Sequence, residues 1–218
     1  MDSLSLHADT RLAALVHGES QPWQPSPSPG VERKLLERVG GEVALATSIV
    51  RYAPASRFDA HVHGAGEEFL VLDGVFSDEH GDYPALTYVR NPPGSVHAPR
   101  SGPGCTIFVK LRQMSGSGGC PRVVVPAWPE EPGEQRLHRG AAVTVALHRL
   151  PPAGTLMLDA QLGGEELFVV EGTARAPGVT LTRWTWWRRP AGEAACLLHT
   201  DRGALLWVKR GHLDRAEG

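Results

Sequence analysis

Displacing the chain against itself by 98 residues brings its two halves into register. Glu67-Glu68-Phe69-Leu70-Val71-Leu72-Asp73-Gly74 falls on Glu165-Glu166-Leu167-Phe168-Val169-Val170-Glu171-Gly172. The same shift sets Arg51 on Arg149, Pro54 on Pro152, Pro92 on Pro190 and Gly94 on Gly192, and one further residue of slip aligns Phe108-Val109-Lys110 with Trp207-Val208-Lys209. A period near a hundred residues is far too long for a solenoid, so the chain reads as two copies of one domain.

The character of that domain follows from how often the chain is interrupted. Gly (25) and Pro (18) recur throughout the 218 residues and leave little room for long helices. Between them lie short runs of Val, Leu, Thr and aromatics that predict strands at 43–52, 69–75, 87–91, 106–112, 143–150, 167–170, 181–187 and 205–209. Many short strands bounded by turn residues predict an all-β sandwich or barrel. Only the first twenty residues read as helical, with Asp9 as a cap and Leu12, Leu15 and Val16 on one face. A Pro/Ser-rich connector follows at 21–30. Residues 1–30 are thus an arm with linker, 31–115 the first domain and 121–212 the second. The Gly/Ser stretch at 115–119 lies between the two domains. With 22 Lys+Arg against 24 Asp+Glu, no basic footprint for nucleic acid is present. No apolar run approaches the roughly 20 residues of a membrane span, no signal peptide opens the chain, and three cysteines without a CxxC motif offer neither a disulfide framework nor a thiolate zinc site. A cytoplasmic protein that engages neither nucleic acid nor membrane is the expectation.

Chemistry concentrates in the first copy. His61-Val62-His63 sets two imidazoles at i and i+2, which share one face of a strand. Glu67 follows, and Pro92-Pro93-Gly94-Ser95-Val96-His97 sets a third imidazole just after a tight turn. Three imidazoles and a carboxylate suit one divalent ion, Zn²⁺ or Fe²⁺, with Mn²⁺ and Ni²⁺ as alternatives, and leave coordination positions open. Glu68 competes with Glu67 for the carboxylate role; period-two alternation favours Glu67. Tyr52, Phe69, Val71, Tyr88 and Arg90 are candidates to line the cavity of this domain.

These residues resemble the cupin superfamily, whose motifs are G-x5-H-x-H-x3,4-E-x6-G and G-x5-P-x-G-x2-H-x3-N. The ligand positions fall on His61, His63, Glu67 and His97. Ala55, Leu86 and Ser101 stand where Gly, Gly and Asn are usual. The runs at 66–79 and 89–99, continuing into 104–111, are more specifically similar to the ChrR-like cupins. That resemblance implies tandem jelly-roll (double-stranded β-helix) barrels, a bicupin, with the metal near one mouth of the first. Full-length ChrR proteins carry a helical zinc domain that grips a sigma factor. Residues 1–30 hold His7 and His17 but no cysteine, so within a stress-response pathway the resemblance implies the sensing or effector module alone and leaves a sigma-factor pathway as its only hint of a partner.

In the second copy His61, His63 and His97 map to Asp159, Gln161 and Ala195, and only Glu67 keeps a counterpart, Glu165. That barrel is expected to be metal-free and structural. Two functions compete for the first: a regulatory or small-molecule-binding metal module, or a metal-dependent dioxygenase-type enzyme acting on a small oxygenated compound. Either fits a monomer or a homodimer.

Overall fold

The computed structural model describes residues 4–41, 43–114, 121–126 and 131–213. It is built of short strands, with one 3-10 turn at Gly18–Ser20 and no α-helix among the described residues. Hence no helix among them is long and apolar enough to cross a membrane. The chain divides into two compact units, one comprising residues 1–8 and 21–127, the other 9–20 and 128–218.

In the first unit the main sheet runs, neighbour by neighbour, Leu4–Leu6, Val31–Gly40, Ala44–Tyr52, Cys105–Leu111, Glu67–Asp78, Tyr88–Asn91 and Val123–Val125, every pairing antiparallel. Shorter pairs, His61–Val62 with Val96–His97 and Ser56–Arg57 with Arg100–Ser101, complete the barrel. The second unit repeats the order: Gly133–Arg139, Thr144–Leu150, Ala204–Arg210, Glu165–Gly172, Thr185–Arg189 and Ala14–His17. A four-stranded sheet of Thr155–Leu158, Cys196–His199, Ala174–Ala176 and Val179–Leu181 accompanies it. The fold is a tandem cupin, as its motifs imply.

The repeat extends to details that sequence matching alone would miss. The ladder against Glu67–Asp78 slips at Leu72, and the ladder against Glu165–Gly172 slips at Val170, 98 positions on. Positive φ recurs in the same pairs: Ala55 (61°) with Ala153 (59°), Leu86 (66°) with Trp184 (61°), and Gly94 with Gly192 (both 83°). Ala55 and Leu86 are the two positions where the motifs ordinarily carry Gly. The left-handed backbone there supplies the reason.

Alternation sets each core. In the first unit Phe69, Val71, Val89, Cys105, Ile107 and Val109 point inward with Tyr52 and Phe76. In the second, Leu167, Val169, Leu181, Leu198, Leu206 and Val208 do the same. At about 25 cal/mol per Å² of apolar surface, each such side chain contributes on the order of 1.5–3 kcal/mol.

Three expectations change. Among the described residues 4–20 no α-helix forms: Ala14–His17 is a strand paired with Thr185–Arg189, its burial alternating Ala14 in, Leu15 out, Val16 in. Sheet hydrogen bonds with a strand of the second unit outcompete a helix too short to recover its nucleation cost. Asp9 does cap, but caps a turn, accepting from the Arg11 N–H at 3.0 Å. The strand expected over 181–187 is two strands, broken by the left-handed backbone of Trp184. Val123–Val125, past the Gly/Ser stretch, pairs with Tyr88–Asn91 and lies with the first unit. Residues 115–120, Cys120 among them, lie outside the described residues.

Candidate metal centre

Two short antiparallel segments build the site. His61 sits opposite His97 in the pairing of His61–Val62 with Val96–His97. The His63 N–H donates to the Ser95 carbonyl at 2.9 Å, and the His63 carbonyl accepts from the Gly94 N–H at 2.8 Å. Pro93 and Gly94 occupy the central positions of the turn closed by the Ser95 N–H on the Pro92 carbonyl (3.1 Å). The φ of +83° at Gly94 is the value a type II turn requires there.

The three imidazoles consequently converge. Ring centroids are 4.8 Å apart for His61–His63, 5.1 Å for His61–His97 and 4.6 Å for His63–His97. One ligand atom from each lies within 4.8 Å of the others. Glu67, at the start of its strand, brings Oε2 to 3.4 Å from His63 Nε2 and 3.5 Å from His97 Nε2. Glu68 faces the other way, its carboxylate accepting from the Tyr88 hydroxyl (2.7 Å) and Arg90 (2.9 Å). One-residue alternation thus sets Glu67 beside the imidazoles and Glu68 away from them. Tyr88 and Arg90 share Glu68's side, while Phe69 and Val71 fill the core, so of the cavity candidates only Tyr52 lines the open space.

A layer behind these residues sets their orientation. His97 Nδ1 lies 3.3 Å from Asp78 Oδ2, and His61 Nδ1 lies 2.9 Å from the Asp59 carbonyl. Both partners accept, so each Nδ1 carries the proton and each Nε2 presents a lone pair. Asp78 is fully buried. Burial raises its pKa, but hydrogen bonds from His97, the Tyr83 hydroxyl and the His80 N–H, with the Arg122 charge, hold it down at about 2. Arg122 reaches both arms of the site, donating to Asp78 Oδ2 at 2.9 Å and to Asn91 Oδ1 at 2.8 Å. Asn91 in turn donates to Glu67 Oε2 at 3.0 Å. Sequence reasoning missed Asp78, Asn91 and Arg122. Asp78 and Asn91 lie inside the ChrR-like runs, while Arg122 lies beyond the stretch expected to end the domain.

This donor set fits a cation. His63 Nε2 and His97 Nε2 are buried without a hydrogen-bond partner, a rare condition for buried polar atoms. At His97, a lone pair faces a carboxylate oxygen, an arrangement favourable only with a positive charge between them. Burial lowers the His63 pKa, which keeps that ring in its neutral, ligating form. Donors about 2.0–2.2 Å from one ion stand roughly 3–3.5 Å apart, close to the 3.4 and 3.5 Å that separate Glu67 Oε2 from His63 and His97 Nε2.

Beside the imidazoles opens a cavity of about 410 Å³, with His61, His63 and Glu67 in its wall and Val50, Tyr52 and Val109 along its sides. Burial pushes the Tyr52 hydroxyl well above the ordinary tyrosine range, so it is a hydrogen-bond donor and not a base. Cys105, buried nearby, is pushed by burial to about 11 and is an inert thiol at neutral pH.

The second unit keeps the backbone and changes the chemistry. The Gln161 carbonyl accepts from the Gly164 N–H at 3.3 Å and the Gly192 N–H at 3.4 Å, as His63 does from Gly66 and Gly94. Glu165 occupies the position of Glu67. It is paired with Arg189, which stands at the position of Asn91, and with Arg210 at 3.0 Å. Guanidinium groups supply the positive charge there.

Among curated proteins none is significantly similar in sequence. Among solved structures the fold is shared with the bacterial pirin YhhW from Escherichia coli in complex with nickel(II) (TM-score 0.74, 13% identity, 91% of this chain and 98% of that one). It is also shared with protein Ylba of E. coli (TM-score 0.71, 12% identity, 100% and 97%) and with an oxalate decarboxylase of Bacillus subtilis (TM-score 0.58, 12% identity, 91% and 77%). The ChrR Cupin-like domain family matches residues 12–115, the stretch that contains all three imidazoles and Glu67. Through residues 12–115, therefore, this chain carries a ChrR cupin-like domain.

Proposed function

We propose that the first unit binds one divalent metal ion, Zn²⁺ or Fe²⁺, through His61, His63, His97 and Glu67, and presents it to a small oxygenated molecule in the adjoining cavity. The observation that carries this reading is the pair of buried, partnerless imidazole nitrogens converging with a third imidazole on one carboxylate. A nickel-bound pirin among the structural relatives supports it. When bound, such an ion supplies Lewis acidity or, for iron, redox capacity.

The chain's own residues do the rest. Asp78 and the Asp59 carbonyl hold the Nδ1 protons of His97 and His61, fixing ring orientation. Asn91 steadies Glu67. Tyr52 offers a hydroxyl donor on the cavity wall, and Val50 and Val109 give its side an apolar lining. The open cavity beside the imidazoles favours a role in small-molecule binding or turnover over one in which the ion only holds the barrel together. With guanidinium groups around Glu165, the second barrel is metal-free in this reading.

The test is metal analysis by mass spectrometry on protein purified without added metal. Close to one equivalent of metal is expected, lost in His97→Ala, and an oxygen-consumption screen with aromatic and diketone compounds then separates an enzyme from a binding module. Wild-type protein that takes up no divalent metal would end the proposal.

A further inference from the structure

The cavity beside the imidazoles is lined by three arginines, Arg33, Arg38 and Arg112, and among the described residues in its wall Glu67 is the one carboxylate. Arg33 and Arg38 face inward for a reason visible in the register. Val31, Arg33 and Leu35 pair with Tyr52, Val50 and Ser48, and the slip at Leu36 then returns Arg38, opposite Ala46, to the same side. Arg38 is buried and Arg33 half-buried. Arg38 is only 6% exposed, and its guanidinium donates to the Gly41 carbonyl. Arg33 Nε is buried with no hydrogen-bond partner. Among the described residues neither has a carboxylate at ion-pair distance. Burial and the repulsion of Arg33 both lower the Arg38 pKa, so the two positive charges, on the inward side of one strand, work against each other. Guanidinium groups removed from water without a counter-charge are costly and are retained where an anion arrives to match them.

The second barrel provides an internal comparison. Opposite its His148, which stands where Val50 does, lies Glu134 in the place of Arg33, with its carboxylate 4.0 Å from His148 Nδ1. That unit carries its own negative charge at this position; the first does not.

We propose that the first unit's cavity takes a small organic anion, its carboxylate seated on Arg33 and Arg38 and its body laid along Val50, Ile107 and Val109 toward His61 and His63. This rests on the reading of the cavity as a ligand site beside the metal. Arg38, Ala46, Leu111 and Glu67 form one row across the sheet, three strand spacings of about 4.8 Å each. After the reach of the arginine side chain, the remaining gap suits a single ring or a chain of a few carbons.

Phenylacetate and its uncharged isostere phenylacetamide test the proposal, titrated calorimetrically into metal-loaded and chelator-treated full-length protein. The expected result is at least tenfold tighter binding of phenylacetate in both forms, with that preference abolished in Arg33→Gln/Arg38→Gln while metal content stays at the wild-type level. Arg33→Gln alone, at a half-buried position, keeps the test available if the double variant misfolds, and should remove most of the preference. Equal binding of the two probes, no binding of phenylacetate, or a preference that survives the arginine changes would overturn the proposal. A preference that disappears with the metal would also overturn it, since the ion and not the arginines would then hold the carboxylate. Metal content, read separately, shows whether the metal site itself has failed.

Discussion

Arg122→Gln isolates the layer behind the imidazoles. One guanidinium steadies both sides of the site: it holds Asp78, which fixes His97, and Asn91, which fixes Glu67. Loss of an outer partner of a metal ligand typically weakens metal affinity by about 10–100-fold. Because Arg122 serves two ligands, we expect the upper part of that range, about 2–3 kcal/mol of binding free energy at 1.4 kcal/mol per tenfold. The fold should survive, since Asp78 keeps the Tyr83 hydroxyl and the His80 N–H, both at 2.8 Å. Asn91 likewise keeps its bond to Glu67. The assay is competition for Zn²⁺ against a chromophoric chelator at pH 7.5, with circular dichroism on the same samples. Asp78→Asn closes a double-mutant cycle. Both changes act on His97 through one path, so their combined effect should fall short of the sum of the two. A folded Arg122→Gln protein that binds Zn²⁺ within twofold of wild type would refute the reasoning.

Glu165→Ala should leave metal content per folded molecule unchanged yet lower the melting temperature. It removes the buried carboxylate partner of Arg189 and leaves that arginine the more exposed Glu193 at 3.6 Å, so the loss should lie at the lower end of the about 3–5 kcal/mol typical of a broken buried pair; equal loss of metal in Glu165→Ala and His97→Ala would place an ion in the second barrel. Ala55→Gly, at an exposed position with φ of 61°, should stabilise the protein by about 0.5–1 kcal/mol in urea unfolding, the left-handed strain relieved exceeding the entropy glycine adds to the unfolded chain; destabilisation would mean the turn is unstrained. His148 has a folded pKa lowered by burial, a shift opposed by Glu134 and reinforced by Arg210. Its stability contribution is therefore complete above the unfolded value near 6.5 and is lost as pH falls through the folded one. Urea midpoints from pH 7.5 to 5 should fall less steeply in His148→Gln than in wild type, and parallel profiles would count against the assignment. Metal should leave the first barrel as pH falls below about 6, because protons compete for the imidazoles; a full equivalent retained at pH 4 would contradict this ligand set.

The duplication was legible because strand alternation and turn residues leave marks at short range. Gly74 shows how tightly those marks bind to structure: a Cβ there would overlap the Gly104 carbonyl oxygen, and Gly172 repeats the constraint against Gly203. The three histidines were legible for a similar reason, since i,i+2 spacing and a Pro-Pro-Gly turn are local devices. The Ala14–His17 strand was not, because four alternating residues look alike as strand or as helix until a partner strand is at hand. Which way the candidates Tyr88 and Arg90 face is not legible in the sequence, because the register of their short strand depends on a neighbour eighteen or more positions away.

Composition and local pattern, then, determined that this chain is all-β, duplicated, and furnished in one copy with imidazoles able to share an ion. Tertiary structure decided what surrounds them: Arg122 brought alongside Asp78 from 44 positions away, Arg38 returned to the inward side of Arg33 by a single slipped residue, and Glu165 matched by arginines instead of histidines. The reason is physical. Backbone preference acts over a few neighbouring residues, whereas the company a buried charge keeps is set by which strands lie side by side, and that follows from packing the whole barrel.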